Sequence, residues 1–448
     1  MDFGLGGVVG RETVRAYFGF GFIIPARQKV VMECSGRGEE LCGVGKGFGG
    51  NEIGATSEEG CGGGMGSTIK EWKAQGQTKD FNVKNYGAIA DGSTDNSKAF
   101  LKAWKEACEW TGRARVWIPI GTYRVNSVKF EGPCKGPIAF VIKGYLKAPT
   151  EPSLFITQNW INFRYINNLT VSGGGVLDGQ GKEAWTYNDC NKNPNCPSLP
   201  TTMRFDFVTN AWVHHLRSIN SKNTHFVVFG CVEVKFTNTR ISAPADSPNT
   251  DGIKMANSRG IKIQQTTIRT GDDCIAMLAG TRHVRIFNVT CGPGHGISIG
   301  SLGKDGDQND LFDIRVRNCS FHNTSDGIRI KTWASPGIGK VSALIYEDIF
   351  MNQVGNPIII DQEYCPYPPC KTQPSRVQIS NVTYRNIWGY SGSKVAVTFR
   401  CSQSTPCRDL VMENINLHYH GRDGEGSTAL CNNVKGESLG PQNPASCI

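Results

Sequence analysis

Three short stretches of this chain carry the residue types that hydrolytic chemistry uses: Asp251 in NTDG, Asp272 and Asp273 in TGDDC, and His295 in GHG. Adjacent carboxylates resist joint ionisation. A pair such as Asp272–Asp273 is therefore either a solvated acidic turn or a place where a proton, a cation or a catalytic task holds both together. Acid–base cleavage needs two carboxyl groups in different protonation states, and crowding pushes their pKa values apart. The intervals favour the catalytic reading, because Asp251 to Asp273 and Asp273 to His295 are each 22 residues. Further along, DGIRIK places Arg329 and Lys331 at i and i+2, on one face of a strand. Two fixed cations beside a group of acids suit a substrate that is itself a carboxylate.

The elements that must position these residues show themselves as a repeat. Apolar–basic–apolar triplets recur at Val234-Lys235-Phe236, Ile261-Lys262-Ile263, Val284-Arg285-Ile286 and Ile314-Arg315-Val316, their middle residues 27, 23 and 30 apart, with weaker echoes at Val377-Gln378-Ile379 and Leu410-Val411-Met412. Each alternates as a strand does. A period in the twenties without helical pattern between the triplets predicts an all-β fold, a parallel β-helix whose coils stack on one another; a propeller would need longer, four-stranded repeats. Residues one coil apart then lie on neighbouring strands about 4.8 Å apart, so Asp251, Asp273 and His295 should form a short column. Within a regular strand Asp272 and Asp273 would face opposite ways, and Gly271 is the residue that would permit a bulge turning both outward. The polar run GKDGDQND before Arg329 reads as an outward loop. Upstream, DNSKAFLKAWKEAC has Asp95 or Asn96 as N-cap and Phe100, Leu101, Trp104 and Ala107 at helical spacing, a short helix placed to cap one end.

Composition narrows the class. The 54 glycines, 21 prolines and only 19% charged residues suit a turn-rich β protein. The net charge of +9 favours a polyanionic partner, an acidic polysaccharide among them. Seventeen cysteines point to an oxidising compartment. Cys190 with Cys196, Cys365 with Cys370, and Cys401 with Cys407 read as short disulfide loops, and Cys431 and Cys447 bracket the end; spacing leaves the connectivity open. No CxxC pair or Cys/His cluster supports zinc, and no metal or cofactor is expected. Sequons begin at Asn168, Asn288, Asn318, Asn323 and Asn381 and agree with a secretory route. The N-terminus does not: AYFGFGFIIPA behind Arg11 and Arg15 lacks the signal-peptide pattern. Residues 1–78 read as a Gly-rich, disordered segment holding Cys34, Cys42 and Cys61, and 79–448 as the catalytic domain. No run of 18 apolar residues offers a membrane span.

Taken together in this order and spacing, NTDG, GDDC, GHG and RIK resemble the polygalacturonases, the pectin-cutting enzymes of glycoside hydrolase family 28. The likeness covers about 79–448, and FNVKNYGAIADGSTD, CGPGHGISIGSLGK and the cysteine-rich end look most like the plant pollen-type exopolygalacturonases. It implies a single-stranded, right-handed parallel β-helix that hydrolyses α-1,4-galacturonosyl linkages of pectate with inversion. Carried over by motif, Asp272 is the general acid, Asp251 and Asp273 activate the water, and His295 supports the acid. Arg329 and Lys331 hold the galacturonate carboxylate, Asn249 assists from its turn, and Tyr364 in IIIDQEYC contacts substrate or simply packs beside a disulfide. The resemblance also implies a Cys274–Cys291 disulfide, secretion to the cell wall, and a monomer that binds neither nucleic acid nor membrane. Lys254 departs from it, since many relatives have histidine there; it either contacts substrate or sits on an outer face.

Other readings stay open at this stage. Xylogalacturonan hydrolysis, endo rather than exo attack, or a silent wall-binding β-helix all fit the repeat, although retention of all three aspartates argues against silence. A lyase is disfavoured because acids around a histidine suit hydrolysis better than proton abstraction by a basic residue. The insertion TYNDCNKNPNCPSLPTT, stapled by Cys190 and Cys196, is the stretch best able to close one end of a groove.

Overall fold

The computed structural model describes residues 78–155, 157–188, 198–304, 310–366, 368–370, 373–421 and 426–448. Expectations for the first 77 residues, for Cys190 and Cys196, and for the middle of the 304–311 loop lie outside these. The described chain winds as a right-handed parallel β-helix with two parallel sheets, of 19 and 11 strands. Each coil contributes one strand to the smaller sheet, from Val128–Glu131 to Thr428–Asn432.

Register explains why the sequence repeats. In the smaller sheet Phe226, Ile253, Ile275, Ile297, Ile328 and Ile358 succeed one another coil by coil. All six are fully buried. In the larger sheet Phe236, Ile263, Ile286, Val316, Tyr346, Tyr384 and Met412 do the same. The triplets are thus rungs, with their basic residues stacked outward: Lys235, Lys262, Arg285 and Arg315 pair in turn. One echo is off this row. The continuation runs through Val382-Thr383-Tyr384 to Leu410-Val411-Met412, and Val377-Gln378-Ile379 lies earlier on the same long strand, Arg376–Ser391.

Long strands such as Arg259–Arg269 bend through a corner residue in the left-handed region, and the corners stack as Gln265, Asn288, Asn318, Asp348, Asn386 and Asn414. Asparagine tolerates that conformation and bonds its neighbours: Asn386 Nδ2 donates to Asp348 Oδ1, and Asn414 Nδ2 to Asn386 Oδ1, each at 3.1 Å. All five sequon asparagines have φ between 51° and 60° and are exposed. The corners therefore account for asparagine at these positions without any glycan.

The expected helix is Ser97–Glu109. Asp95 Oδ1 accepts from the Ser97 N–H at 3.0 Å, while Asn96 is buried and bonds the main chain of Ile89, Thr94 and Arg124. Phe100 and Trp104 close the coil end against Phe130, Phe140 and Phe163. A disulfide that spacing did not suggest, Cys108–Cys134, ties this cap to the first coils. Cys365–Cys370, Cys401–Cys407 and Cys431–Cys447 form as expected.

Cys274 and Cys291 do not. Both are free and fully buried, as are Cys231 and Cys319. Cys274 Sγ bonds the Ile268 carbonyl at 3.9 Å, and burial, then its hydrogen bond with Cys274, pushes the Cys291 thiol well above its ordinary pKa. They fill the interior as small apolar groups. No helix of the described residues is long and apolar enough to cross a membrane.

Candidate active site

The 22-residue interval is one coil of the smaller sheet. Strands Ile253–Ala256, Ile275–Met277 and Ile297–Leu302 are neighbours in that register. Asp251, Asp272, Asp273 and His295 lie in the turns that enter these strands, so successive coils deliver them to the same edge. Main-chain bonds fix the turns: Gly252 N–H donates to Asp273 O at 2.9 Å, Cys274 N–H to Gly296 O at 2.8 Å, and His295 N–H to Asp272 O at 2.9 Å.

Asp272 and Asp273 occupy a bend, so strand alternation does not constrain them. Gly271 contributes differently from the expectation of a bulge. Its Cα packs against the preceding coil, where a Cβ would stand 2.1 Å from the Ser247 carbonyl oxygen. Glycine is needed there for close approach.

Asp272 is the most open of the three acids, its side chain 19% exposed against 3% for Asp251 and 4% for Asp273. Its Oδ1 lies 2.9 Å from His295 Nδ1 and accepts the Asp273 N–H at 2.8 Å, while Oδ2 accepts from Asn249 Nδ2 at 3.2 Å. The column predicted from spacing forms, but the imidazole contacts Asp272 and not Asp273. Burial alone would raise the Asp272 carboxyl. The hydrogen bond and charge of His295, then Lys331 and Lys254, hold it below the usual carboxylate range. The same hydrogen bond raises His295, against desolvation.

Asp273 is the anchor of the cations. Arg329 Nη2 and Lys331 Nζ reach its two oxygens at 2.7 and 2.9 Å, and Ser298 Oγ donates to it at 2.7 Å. Burial opposes ionisation, but Lys331 and Arg329 keep this carboxyl below its ordinary value. Arg329 and Lys331 share a face of Asp326–Trp333, as i, i+2 spacing requires. They are mostly buried and paired with the protein's own acid, not free cations awaiting a ligand. Asp251 behaves in the opposite way: burial, with Asp272 and Asp273 nearby, lifts it to about 6 despite Lys254 Nζ at 3.0 Å.

Tyr364 pairs across the sheet with Trp333, their rings 5.3 Å apart, and Lys331 Nζ lies 5.4 Å from the Tyr364 ring. It adjoins Cys365–Cys370 in the chain, as the packing alternative requires, and it lies next to a site cation. Asn249 adopts φ 54° and accepts from Asn188 Nδ2 at 2.8 Å, which orients the amide toward Asp272.

Four contributors were not read from the sequence. Ser298 lies one coil before Arg329 in register and accepts its Nε–H at 3.0 Å, a position legible once Ile297 and Ile328 are aligned. Asp326 receives Arg329 Nη1 at 2.9 Å. Thr224 Oγ1 stands 3.4 Å from Asp251 Oδ1, and Asn188 supports Asn249; nothing in the local sequence marks these two. A groove of 1110 Å³ runs away from the acids along the preceding coils, lined among others by Lys254, Thr224, Asn223, Arg204 and Asn162. Asp272, Asp273 and His295 each offer an atom within 4.8 Å of the others. Asp273 already has two cationic partners and Asp272 an imidazole, so the charge balance does not call for a metal.

The family model described as "Glycosyl hydrolases family 28" matches residues 108–447. An exopolygalacturonase of Platanus acerifolia is 47% identical over 367 residues, covering 82% of this chain and 97% of that protein. An exopolygalacturonase of Oenothera organensis is 44% identical, covering 79% and 98%. A polygalacturonase of Gossypium barbadense is 45% identical, covering 82% and 89%. Among solved structures, an endo-xylogalacturonan hydrolase from Aspergillus tubingensis aligns with a TM-score of 0.70 at 22% identity, over 82% of this chain and all of that one, a likeness of fold.

Proposed function

The chain belongs to glycosyl hydrolase family 28 and is a glycoside hydrolase, and from that premise we propose that it hydrolyses α-1,4-galacturonosyl linkages of pectate, releasing galacturonate from chain ends. The observation that carries the reading is the arrangement of three acids in two environments. Asp272 is the most exposed of the three and has an imidazole at 2.9 Å, while Asp251 and Asp273 lie deeper on adjoining coils.

In this reading Asp272 donates the proton to the glycosidic oxygen. His295, held protonated by the same contact, is the neighbouring proton reservoir. Asp251, ionising near 6, is matched to general-base work on the attacking water near neutral pH. Asp273 stays ionised and holds Arg329 and Lys331 in line. A galacturonate carboxylate settling by those cations competes with Asp273 for them. It adds negative charge beside the acids, which favours protonated Asp272 when substrate is bound. Asn249 and Tyr364 complete the wall around this position. Displacement by water then inverts the anomeric carbon.

Exo attack rests on two of the relatives being named exopolygalacturonases; residues 189–197 of the insertion at 186–202, expected to close the groove, lie outside the described residues. The four disulfides among the described residues fit export to an oxidising space, where pectate is met. Product analysis tests the reading. Incubation with pectate should release saturated galacturonic acid, with the first product formed as the β-anomer by proton NMR. An unsaturated, ultraviolet-absorbing product would mean elimination, and a first-formed α-anomer would mean retention.

A further inference from the structure

Each acid of the site has a cation of its own. Asp273 has Arg329 and Lys331, Asp272 has His295, and Asp251 has Lys254, whose Nζ lies 3.0 Å from Oδ2. Lys254 follows Asp251 by three residues, at the start of the strand Ile253–Ala256. It occupies the groove-facing row that continues through Ala276 and Ser298 to Arg329. The small Ala276 beside it leaves the ammonium to bridge back to Asp251, and its side chain remains 32% exposed at the groove wall.

We propose that Lys254 is a positioning residue for the water-activating base: its ammonium fixes the Asp251 carboxylate and supplies the counter-charge that lets it stay ionised beside two other acids.

The surroundings of Asp251 explain why a counter-charge is needed. From the following coil it faces Asp272 and Asp273, both held ionised. From the preceding coil it meets the Thr224 hydroxyl at 3.4 Å, and the next residue, His225, is fully buried and kept neutral, its pKa pushed down to about 3. His295, Arg329 and Lys331 are committed to Asp272 and Asp273. Lys254 is the cation paired with Asp251 among the described residues. A buried carboxylate that loses its partner takes up a proton instead of remaining charged. A protonated Asp251 cannot accept a proton from water. Exposure at the groove does not make Lys254 a substrate-binding residue under this proposal, and that difference is measurable.

The inference rests on the assignment of Asp251 as a base, so two readouts separate the two claims. The first is the pH profile of kcat/KM on pectate for wild type, Lys254→Met and Lys254→Arg. In Lys254→Met the ascending limb should move up by about one pH unit or more, costing roughly tenfold at pH 5 with KM changed less than about threefold; Lys254→Arg should restore most of the wild-type limb. A raised KM with the limb unmoved would make Lys254 a subsite contact. A fall in Tm with the limb unmoved would make it structural, and either result overturns the proposal. The second readout needs no activity: a carbon NMR titration of the Asp251 carboxyl, assigned with Asp251→Asn. Its midpoint should rise in Lys254→Met, and an unchanged midpoint refutes the proposal even if the wild type hydrolyses pectate. Full activity in Asp251→Asn would remove the base assignment itself, while the titration still decides whether Lys254 governs that carboxyl.

Discussion

Asp272→Asn isolates the proton from the geometry. The amide has the size of the carboxyl, and its oxygen can still accept from the Asp273 N–H and from His295 Nδ1, contacts of 2.8 and 2.9 Å in the wild type. On the other side the new NH2 meets Asn249 Nδ2. Asn249 can turn only by giving up the bond it accepts from Asn188, so a modest local cost is expected. What is lost outright is the acid. General acid catalysis supplies about 10² to 10⁴ in rate, roughly 2.7 to 5.5 kcal/mol of barrier. His295 is not expected to take over, because its Nδ1 stays committed to the side-chain oxygen of residue 272. A loss near 10³ in kcat on pectate is therefore expected, with trigalacturonate binding nearly unchanged.

Two further readouts separate chemistry from folding. With an aryl galacturonide, whose phenolate leaves without a proton, the deficit should shrink to about tenfold or less. Stability carries a sign as well. His295 is raised by its partner, so that pairing stabilises the fold below about 6.5 and is lost as pH rises through the raised value. The variant's Tm deficit should thus be larger at pH 5 than at pH 8, where removing one of three clustered carboxylates offsets it. A variant that keeps more than half of wild-type turnover, or loses equally on pectate and on the aryl substrate, removes Asp272 from the role.

The ascending limb of wild-type kcat/KM should lie near pH 6, where Asp251 ionises, and the descending limb should follow loss of the His295 proton above its ordinary 6.5; His295→Asn should abolish the descending limb, and a profile with both limbs intact in that variant contradicts the assignment. Lys331→Ala should lower kcat/KM on pectate about 100-fold. It should also cost a few degrees of Tm, because Asp273 keeps only Arg329 and Ser298, each a charge-assisted hydrogen bond worth about 1.5–3 kcal/mol. Fully methyl-esterified pectin should be a poor substrate for the wild type, and equal rates on esterified and free polymer would dismiss carboxylate recognition. Viscometry decides the mode of attack: exo action frees many reducing ends while the solution stays thick, and an early fall in viscosity would establish endo action.

The parts of this site that were legible in the sequence are those that the repeat controls. A solenoid converts a constant interval into a column, so 22 residues between Asp251, Asp273 and His295 placed them on adjoining coils, and the i, i+2 spacing put Arg329 and Lys331 on one face. What the interval could not convey is direction within the turns. Whether His295 meets Asp272 or Asp273, and whether Lys254 bends toward the substrate or back to Asp251, depends on bends that follow no period. Cys108–Cys134 escaped because its halves belong to the helical cap and to the first coils, outside the repeat.

The same distinction explains how a chain that buries three carboxylates tolerates them. Burying an ion pair costs several kcal/mol per charge unless partners and hydrogen bonds compensate. Here the acids enter through turns while the compensating Arg329 and Lys331 enter through one strand, two coils after Asp272 and Asp273 and three after Asp251. Acids and cations thus occupy different layers of the stack, and each layer is held by its own main-chain ladder. Loss of one side chain does not release the backbone that carries the others. The cost of the charge cluster falls on the pKa values of its members and only weakly on the coil geometry. The outcome is an Asp251 lifted to about 6 beside an Asp272 and Asp273 held below their ordinary range, so crowding separates the three carboxyls, and under the proposed roles the proton that Asp272 donates has to be taken up when substrate charge enters the site.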